Sequence, residues 1–191
     1  MTFDETAWWS DCSNTFHEEQ KQLVYAPRMG LRPDWGGAHP PTFDVENRSV
    51  IDIGGGPVSL LLKSVNRGRS VVADPGEYPA WVRMRYQECG IEYWRTNAED
   101  ISGYTFDEAW IYNTLQHVES PKRVIAVARE LAYVVRIFEW IGLDPYPGHP
   151  HRLEKELLDE WLGSPGYTAK LNESGAVGQA YYGVFQGFSG S

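Results

Sequence analysis

The eight residues Val50-Ile51-Asp52-Ile53-Gly54-Gly55-Gly56-Pro57 constrain this chain more than any other stretch. A short apolar run bounded by a glycine turn reads as a buried strand, because β-branched side chains suit a pleated surface and glycine interrupts it. The glycines let the backbone turn tightly and approach a ligand, with free amides at the start of a helix expected over 58–65. A second apolar strand, Ser70-Val71-Val72-Ala73, ends in Asp74, twenty residues beyond Gly54. In a strand–helix–strand unit, that is the spacing at which an acid reaches ribose hydroxyls. Each feature also has a plain reading: a ligand-free turn for the glycines, and a cap before Pro75-Gly76 for Asp74. Their joint occurrence at this spacing favours a nucleoside pocket.

The alternation continues along the chain. A helix is expected over 78–87 with Gly90 as its stop, then strands over 91–94 and 108–112. Ser120-Pro121 supplies an N-cap and a first-turn proline for a helix whose Val124, Ala128 and Leu131 share one face. A fifth strand follows over 133–141. Leu153, Leu157 and Trp161 mark a final helix ending at Gly163, and 168–171 and 179–185 read as an antiparallel hairpin, since no helix-length segment separates them. Seven strands alternating with helices in this way specify an α/β chain with a doubly wound, mostly parallel sheet. Upstream, Thr15-Phe16-His17-Glu18 has capping-box spacing and predicts a polar helix to about Tyr25, and the glycines and prolines of 27–41 predict a loop. The expected division is an N-terminal helical appendage and loop over 1–48 and the main domain over 49–191.

Composition narrows the partners. The 191 residues carry 17 Lys+Arg against 26 Asp+Glu, a net charge of −9, which weighs against broad binding of nucleic-acid phosphates. The two cysteines, Cys12 and Cys89, match no zinc, haem or redox spacing. The longest apolar run, 124–143, is broken by Arg129, Glu130, Arg136 and Glu139, and the acidic Asp4 and Glu5 do not make a secretory signal. A cytoplasmic protein with reduced thiols and no membrane contact is expected.

The glycine stretch resembles the first motif of the class I S-adenosylmethionine-dependent methyltransferases, acid-x-Gly-x-Gly-x-Gly, with Asp52, Gly54 and Gly56 in place and Val58 at the third glycine. A dinucleotide fingerprint fits less well, because Ser59 stands at its last glycine and some fifty residues precede it. Asn97-Ala98-Glu99-Asp100, after the third strand, looks like the family's adenine-reading segment. Tyr112-Asn113-Thr114-Leu115-Gln116-His117-Val118 is similar to the "N-x-L-x-H-V" run of the small methyltransferase-11-like branch. The resemblance covers 49–141 and implies a Rossmann-like fold with S-adenosylmethionine as cofactor. It also implies that Asp52 and the backbone of Gly54, Gly55 and Gly56 hold the methionine end, Asp74 the ribose, Asn97, Ala98 and Glu99 the adenine, and Asn113, Thr114 and Leu115 the floor near the sulfonium. The activity implied is in-line methyl transfer to an O or N nucleophile of a small molecule or an exposed protein or glycan group. Two alternatives stay open, a catalytically silent nucleoside-binding or assembly protein and an NAD(P)-dependent reductase.

Outside the cofactor motifs, His117 is the candidate catalytic base, with a packing role at the strand end as its alternative. The loop Asp144-Pro145-Tyr146-Pro147-Gly148-His149-Pro150-His151 reads either as a substrate-facing lid, with His149 and His151 toward the acceptor, or as a rigid connection. Its spacing fits no zinc pattern. Tyr25 and Arg28, at the end of the N-terminal helix, read either as closing over the cofactor, with Tyr25 toward the acceptor, or as part of a solvated appendage. Trp8 and Trp9 either pack internally or form a self-association patch that would make a homodimer.

Overall fold

In a computed structural model of the chain, residues 5–34, 36 and 41–187 are described; Gly37 and Pro40 of the expected loop and the side chain of Cys12 lie outside them. In chain order the elements are α1 (Glu5–Trp9), α2 (Cys12–Arg28), β1 (Pro33–Asp34), β2 (Thr42–Asp44), β3 (Val50–Ile53), β4 (Ser64–Val65) and β5 (Ser70–Ala73). They continue with α3 (Ala80–Glu88), β6 (Glu92–Trp94), β7 (Phe106–Tyr112), α4 (Pro121–Leu131), β8 (Ala132–Ile141), α5 (Lys155–Leu162), β9 (Tyr167–Glu173) and β10 (Ala176–Gln186).

Seven strands form one sheet in the order β6-β5-β3-β7-β8-β10-β9. The first five run parallel, and β10 lies antiparallel to both of its neighbours. This is the doubly wound, mostly parallel sheet with an antiparallel C-terminal hairpin strand that the pattern of strands specifies. Period-two alternation sorts the core. Ile51, Ile53, Val71, Ile111, Val135 and Ile137 pack beneath α4 and α5, while Val50, Val72, Trp110, Tyr112 and Phe138 face α2 and α3. Strand order reverses between β3 and β7, and in such sheets the ligand crevice opens there, beyond the strands' C-terminal ends.

Three local expectations are corrected. The helix expected over 58–65 is a single 3-10 turn over Leu60–Lys63, followed by β4, which joins β1 and β2 in a second, three-stranded sheet. Ser59 Oγ accepts from Leu61 N at 3.0 Å and Ser64 Oγ donates to the Leu60 carbonyl at 3.1 Å, and these bonds close a tight turn instead of a longer helix. Second, α2 is capped by Asp11, which accepts from Ser13 N at 2.7 Å, so Glu18 is an interior helical residue and not the acid of a capping box. Third, α2 runs past Tyr25 through Pro27 to Arg28, with its end closed by Met29 N donating to the Tyr25 carbonyl at 3.0 Å.

Beneath α2 a buried charge cluster ties the N-terminal segment to the sheet. Arg136 on β8 makes two bonds to Glu108 on β7, at 2.6 and 2.8 Å, and donates to the Met29 carbonyl at 2.8 Å. Arg48 and Trp110 add donors to the same carboxylate. Burial raises the proton affinity of Glu108, but these donors outweigh it and hold the pKa at about 2. Among the described residues no helix is long and apolar enough to cross a membrane.

Candidate functional site

The turn after β3 takes its shape from its glycines. Gly54 has φ +73°, and a Cβ there would lie 2.2 Å from Thr114 Cγ2 on the neighbouring loop. Gly56 also has a positive φ, of +56°. The amides beyond the turn, however, are not free as expected. Ser59 N donates to the Tyr86 hydroxyl at 3.0 Å and Leu60 N to the Tyr112 hydroxyl at 2.9 Å, so phenols hold the positions where a helix would offer open N–H groups.

Asp52 requires a second correction. Its side chain is fully buried beneath the turn, with one oxygen accepting from the hydroxyls of Ser59 and Tyr112 and the other without a hydrogen-bond partner. Burial raises its pKa to about 7, against the two hydroxyl donors that lower it. Asp52 therefore braces the turn and does not line the cavity, because its side chain, on the sheet face covered by α2 and α3, is taken up by the Ser59 and Tyr112 hydroxyls.

That cavity has a volume of about 410 Å³ and lies at the C-terminal ends of β3, β5 and β7. The volume is in the range of small-molecule cofactor sites. Gly54, Gly55 and Gly56 form its floor, and Asp74, Asn97, Ala98, Glu99, Asn113 and Thr114 contribute to its walls. Asp74 ties the two turns together, accepting from Gly56 N at 3.1 Å and from Gly76 N at 2.8 Å. Glu99 accepts from Ser120 N at 3.0 Å, which fixes the start of α4 against the 97–99 segment. Leu115, by contrast, is fully buried in the core and is absent from the cavity wall, since Thr114 and His117 take the outward positions.

The loop after β7 is held from β8. Glu139, fully buried, accepts from Thr114 N and Leu115 N, both at 3.0 Å. Desolvation raises its pKa to about 7 despite those donors and His117. The loop also carries Asn113 at φ +52°, a left-handed conformation uncommon outside glycine. Sequence reasoning used Glu139 only as a break in an apolar run, although an acid at the end of a buried strand, level with the candidate loop, was a usable signal.

A second cavity, of about 420 Å³, adjoins the first. Trp9, Glu18, Asn113 and His117 line both, so they mark the boundary between the two. His149 reaches this second cavity, its ring 4.3 Å from that of His117 at 77°. His151 instead bonds the Val118 carbonyl through Nε2 at 2.7 Å and lines neither cavity. Tyr25 is fully buried, stacked on Phe138 at 4.1 Å, so it is a core residue and not a surface that closes over ligand. Arg28 pairs with Glu173 on β9 at 2.6 Å, away from the pocket. Glu18 and Gln22, one helical turn apart on α2, were not singled out from sequence; both line the first cavity. The capping-box spacing hid Glu18.

This strand order, with the antiparallel strand inserted before the last and a pocket floored by a glycine turn, is the class I S-adenosylmethionine-dependent methyltransferase fold. Solved structures agree. In the complex of the Haloferax volcanii Trm112 methyltransferase activator with a methyltransferase, one chain is similar with TM-score 0.70 and 11% identity, covering 98% of this chain and 99% of that one. Magnesium protoporphyrin IX methyltransferase from Synechocystis PCC 6803, with bound S-adenosylhomocysteine, has TM-score 0.64 and 14% identity over 92% of this chain and 88% of its own. A SAM-dependent methyltransferase from Aquifex aeolicus has TM-score 0.61 and 16% identity over 96% and 99%. No protein-family model and no curated protein matches the sequence.

Proposed function

We propose that the chain is an S-adenosylmethionine-dependent methyltransferase acting on an O or N nucleophile of a small molecule or an exposed group. The observation that carries this reading is the first cavity itself, in which a glycine turn, Asp74, the Asn97-Ala98-Glu99 segment and the Asn113-Thr114 loop converge at the switch point of the sheet. When bound, the donor supplies an activated methyl group on a positively charged sulfur.

The chain's own residues then have three tasks. Gly54, Gly55 and Gly56 admit the methionine end to the backbone, with Asp52 and the Tyr86 and Tyr112 hydroxyls holding the turn in shape from behind. Asp74 and the 97–99 segment take the ribose and adenine. Asn113, Thr114 and His117 border the reacting end, where alignment of an acceptor at about 3–3.5 Å supplies most of the acceleration. His117, at the boundary of the two cavities, stands where a proton from the acceptor would be removed.

Calorimetric titration with S-adenosylmethionine and S-adenosylhomocysteine tests the proposal. Binding of both in the micromolar range is expected, and absence of heat at millimolar ligand overturns it.

A further inference from the structure

The second cavity lacks the glycine floor and the acidic edge of the first, and its walls are different in kind. Trp8, Trp9, Trp140 and Tyr146 present flat aromatic surface, and Val177 on β10 adds apolar surface. At its boundary with the first cavity stands Glu18, 6% exposed, with one carboxylate oxygen 3.4 Å from Asn113 Nδ2 and the other without a hydrogen-bond partner. A buried carboxylate with an unsatisfied oxygen is costly unless something completes it. The groups that act on it or stand beside it are Lys21 and Tyr25 on its own helix, Lys63 before β4, and Asn113 and His117 after β7. Of these cations, Lys63 is engaged by Gln22 at 3.2 Å and by Glu19 at 3.5 Å, and Lys21 is a third exposed at the rim and reaches the second oxygen only at 3.7 Å, too long for a hydrogen bond.

We infer that this cavity is the acceptor subsite and that it takes an arylalkylamine, whose protonated nitrogen is held by Glu18 and whose flat ring lies on the tryptophan walls. The inference rests on the methyltransferase reading above and deepens it. An ammonium completes the unsatisfied oxygen with a charge-assisted bond, and the same cation is attracted to the faces of the aromatic walls. The location agrees, because Glu18 lies with His117 on the boundary with the donor cavity: once the ammonium has given a proton to His117, its freed lone pair attacks the methyl carbon as the carbon–sulfur bond breaks to leave the neutral thioether. The net charge of −9 draws cations toward the chain from a distance. A carboxylate-bearing acceptor would meet Glu18 as a like charge, and an alcohol would add no charge to the long Lys21 pair at 3.7 Å.

The test measures binding by calorimetry on the whole chain saturated with S-adenosylhomocysteine, with 2-phenylethylamine and tryptamine set against 2-phenylethanol and phenylacetate. The amines are expected to bind at least about tenfold more tightly than the alcohol and the acid. Glu18→Gln, nearly isosteric, is expected to remove that preference while leaving S-adenosylhomocysteine affinity within about threefold, and Glu18→Asp to keep the preference at lower affinity. Equal binding of the alcohol or the acid overturns the inference. So does a Glu18→Gln variant that folds, as judged by its melting curve, and loses S-adenosylhomocysteine instead, since Glu18 would then serve the donor. Failure of the methyltransferase reading looks different: the unmodified chain would not bind S-adenosylhomocysteine.

Discussion

At Gly54 two requirements meet that no other residue type satisfies. The φ of +73° strains any L side chain, and the space a Cβ needs is filled by Thr114. Gly54→Ala must therefore push the 113–115 loop away from the turn and distort the floor and wall of the first cavity together. A destabilisation of about 1–3 kcal/mol is expected from the strain alone. Calorimetry should show at least about a tenfold loss of S-adenosylhomocysteine affinity, and wild-type affinity in the variant would refute this account of the turn. The same scale shows where sequence reasoning stops. Glycine and acid positions were legible because their chemistry is local. The burial of Asp52 and of Leu115 was not, because each depends on which face of a strand or loop the neighbouring element covers. Tyr25 misled for a related reason, since a tyrosine near a helix end reads as a surface residue until the sheet behind it is seen.

Elements, more than single residues, hold the site in register. Strand β8 supplies two buried charged groups to two different neighbours: Glu139 to the loop after β7, and Arg136 to Glu108 and to the end of α2. Replacing Glu139 with Gln leaves one acceptor oxygen for two amides and puts an amide group where an acceptor was. About 1–3 kcal/mol of stability should be lost. If the loop carries the reacting end, kcat for any acceptor should fall further than donor affinity does, and a variant with unchanged turnover would separate Glu139 from the site. Arg136→Met is the harsher change. It leaves Glu108 buried with only Arg48 and Trp110 as partners, and a loss of about 3–5 kcal/mol in urea unfolding is expected. Strand existence was well marked in the sequence, because β-branched runs between glycines have few other readings. The fate of 58–65 was not, since a capping serine and a return to β5 at Ser70 compete with helical propensity, and that competition is settled in three dimensions.

For the whole molecule, the buried carboxylates set how stability responds to pH. Asp52 and Glu139 have folded pKa values raised to about 7 from 3.8 and 4.5, so between those limits the folded state binds more protons than the unfolded one. Their protonated forms therefore favour folding fully below about pH 4, and the advantage is lost as pH rises through 7, at up to about 1.4 kcal/mol per pH unit for each group. Glu108 works in the opposite sense. Its pKa of about 2, lowered from 4.5, contributes stability above about pH 4.5 that is lost as pH falls toward 2. The melting temperature should consequently peak near pH 4 and decline by pH 8. A curve that rises steadily to pH 8 would contradict the burial assigned to Asp52 and Glu139.

The position of β10 has a consequence for how the chain is made. Lying between β8 and β9 and pairing with both, it is translated after both of its neighbours yet is an interior member of the sheet. Until residue 186 emerges, β8 presents an open margin of main-chain donors and acceptors, and Tyr181 and Phe185 are missing from the core beneath it. A nascent chain arrested before Ala176 is thus a template for pairing with its neighbours on the same message. Premature termination there should yield insoluble material in place of a shortened, partly active protein.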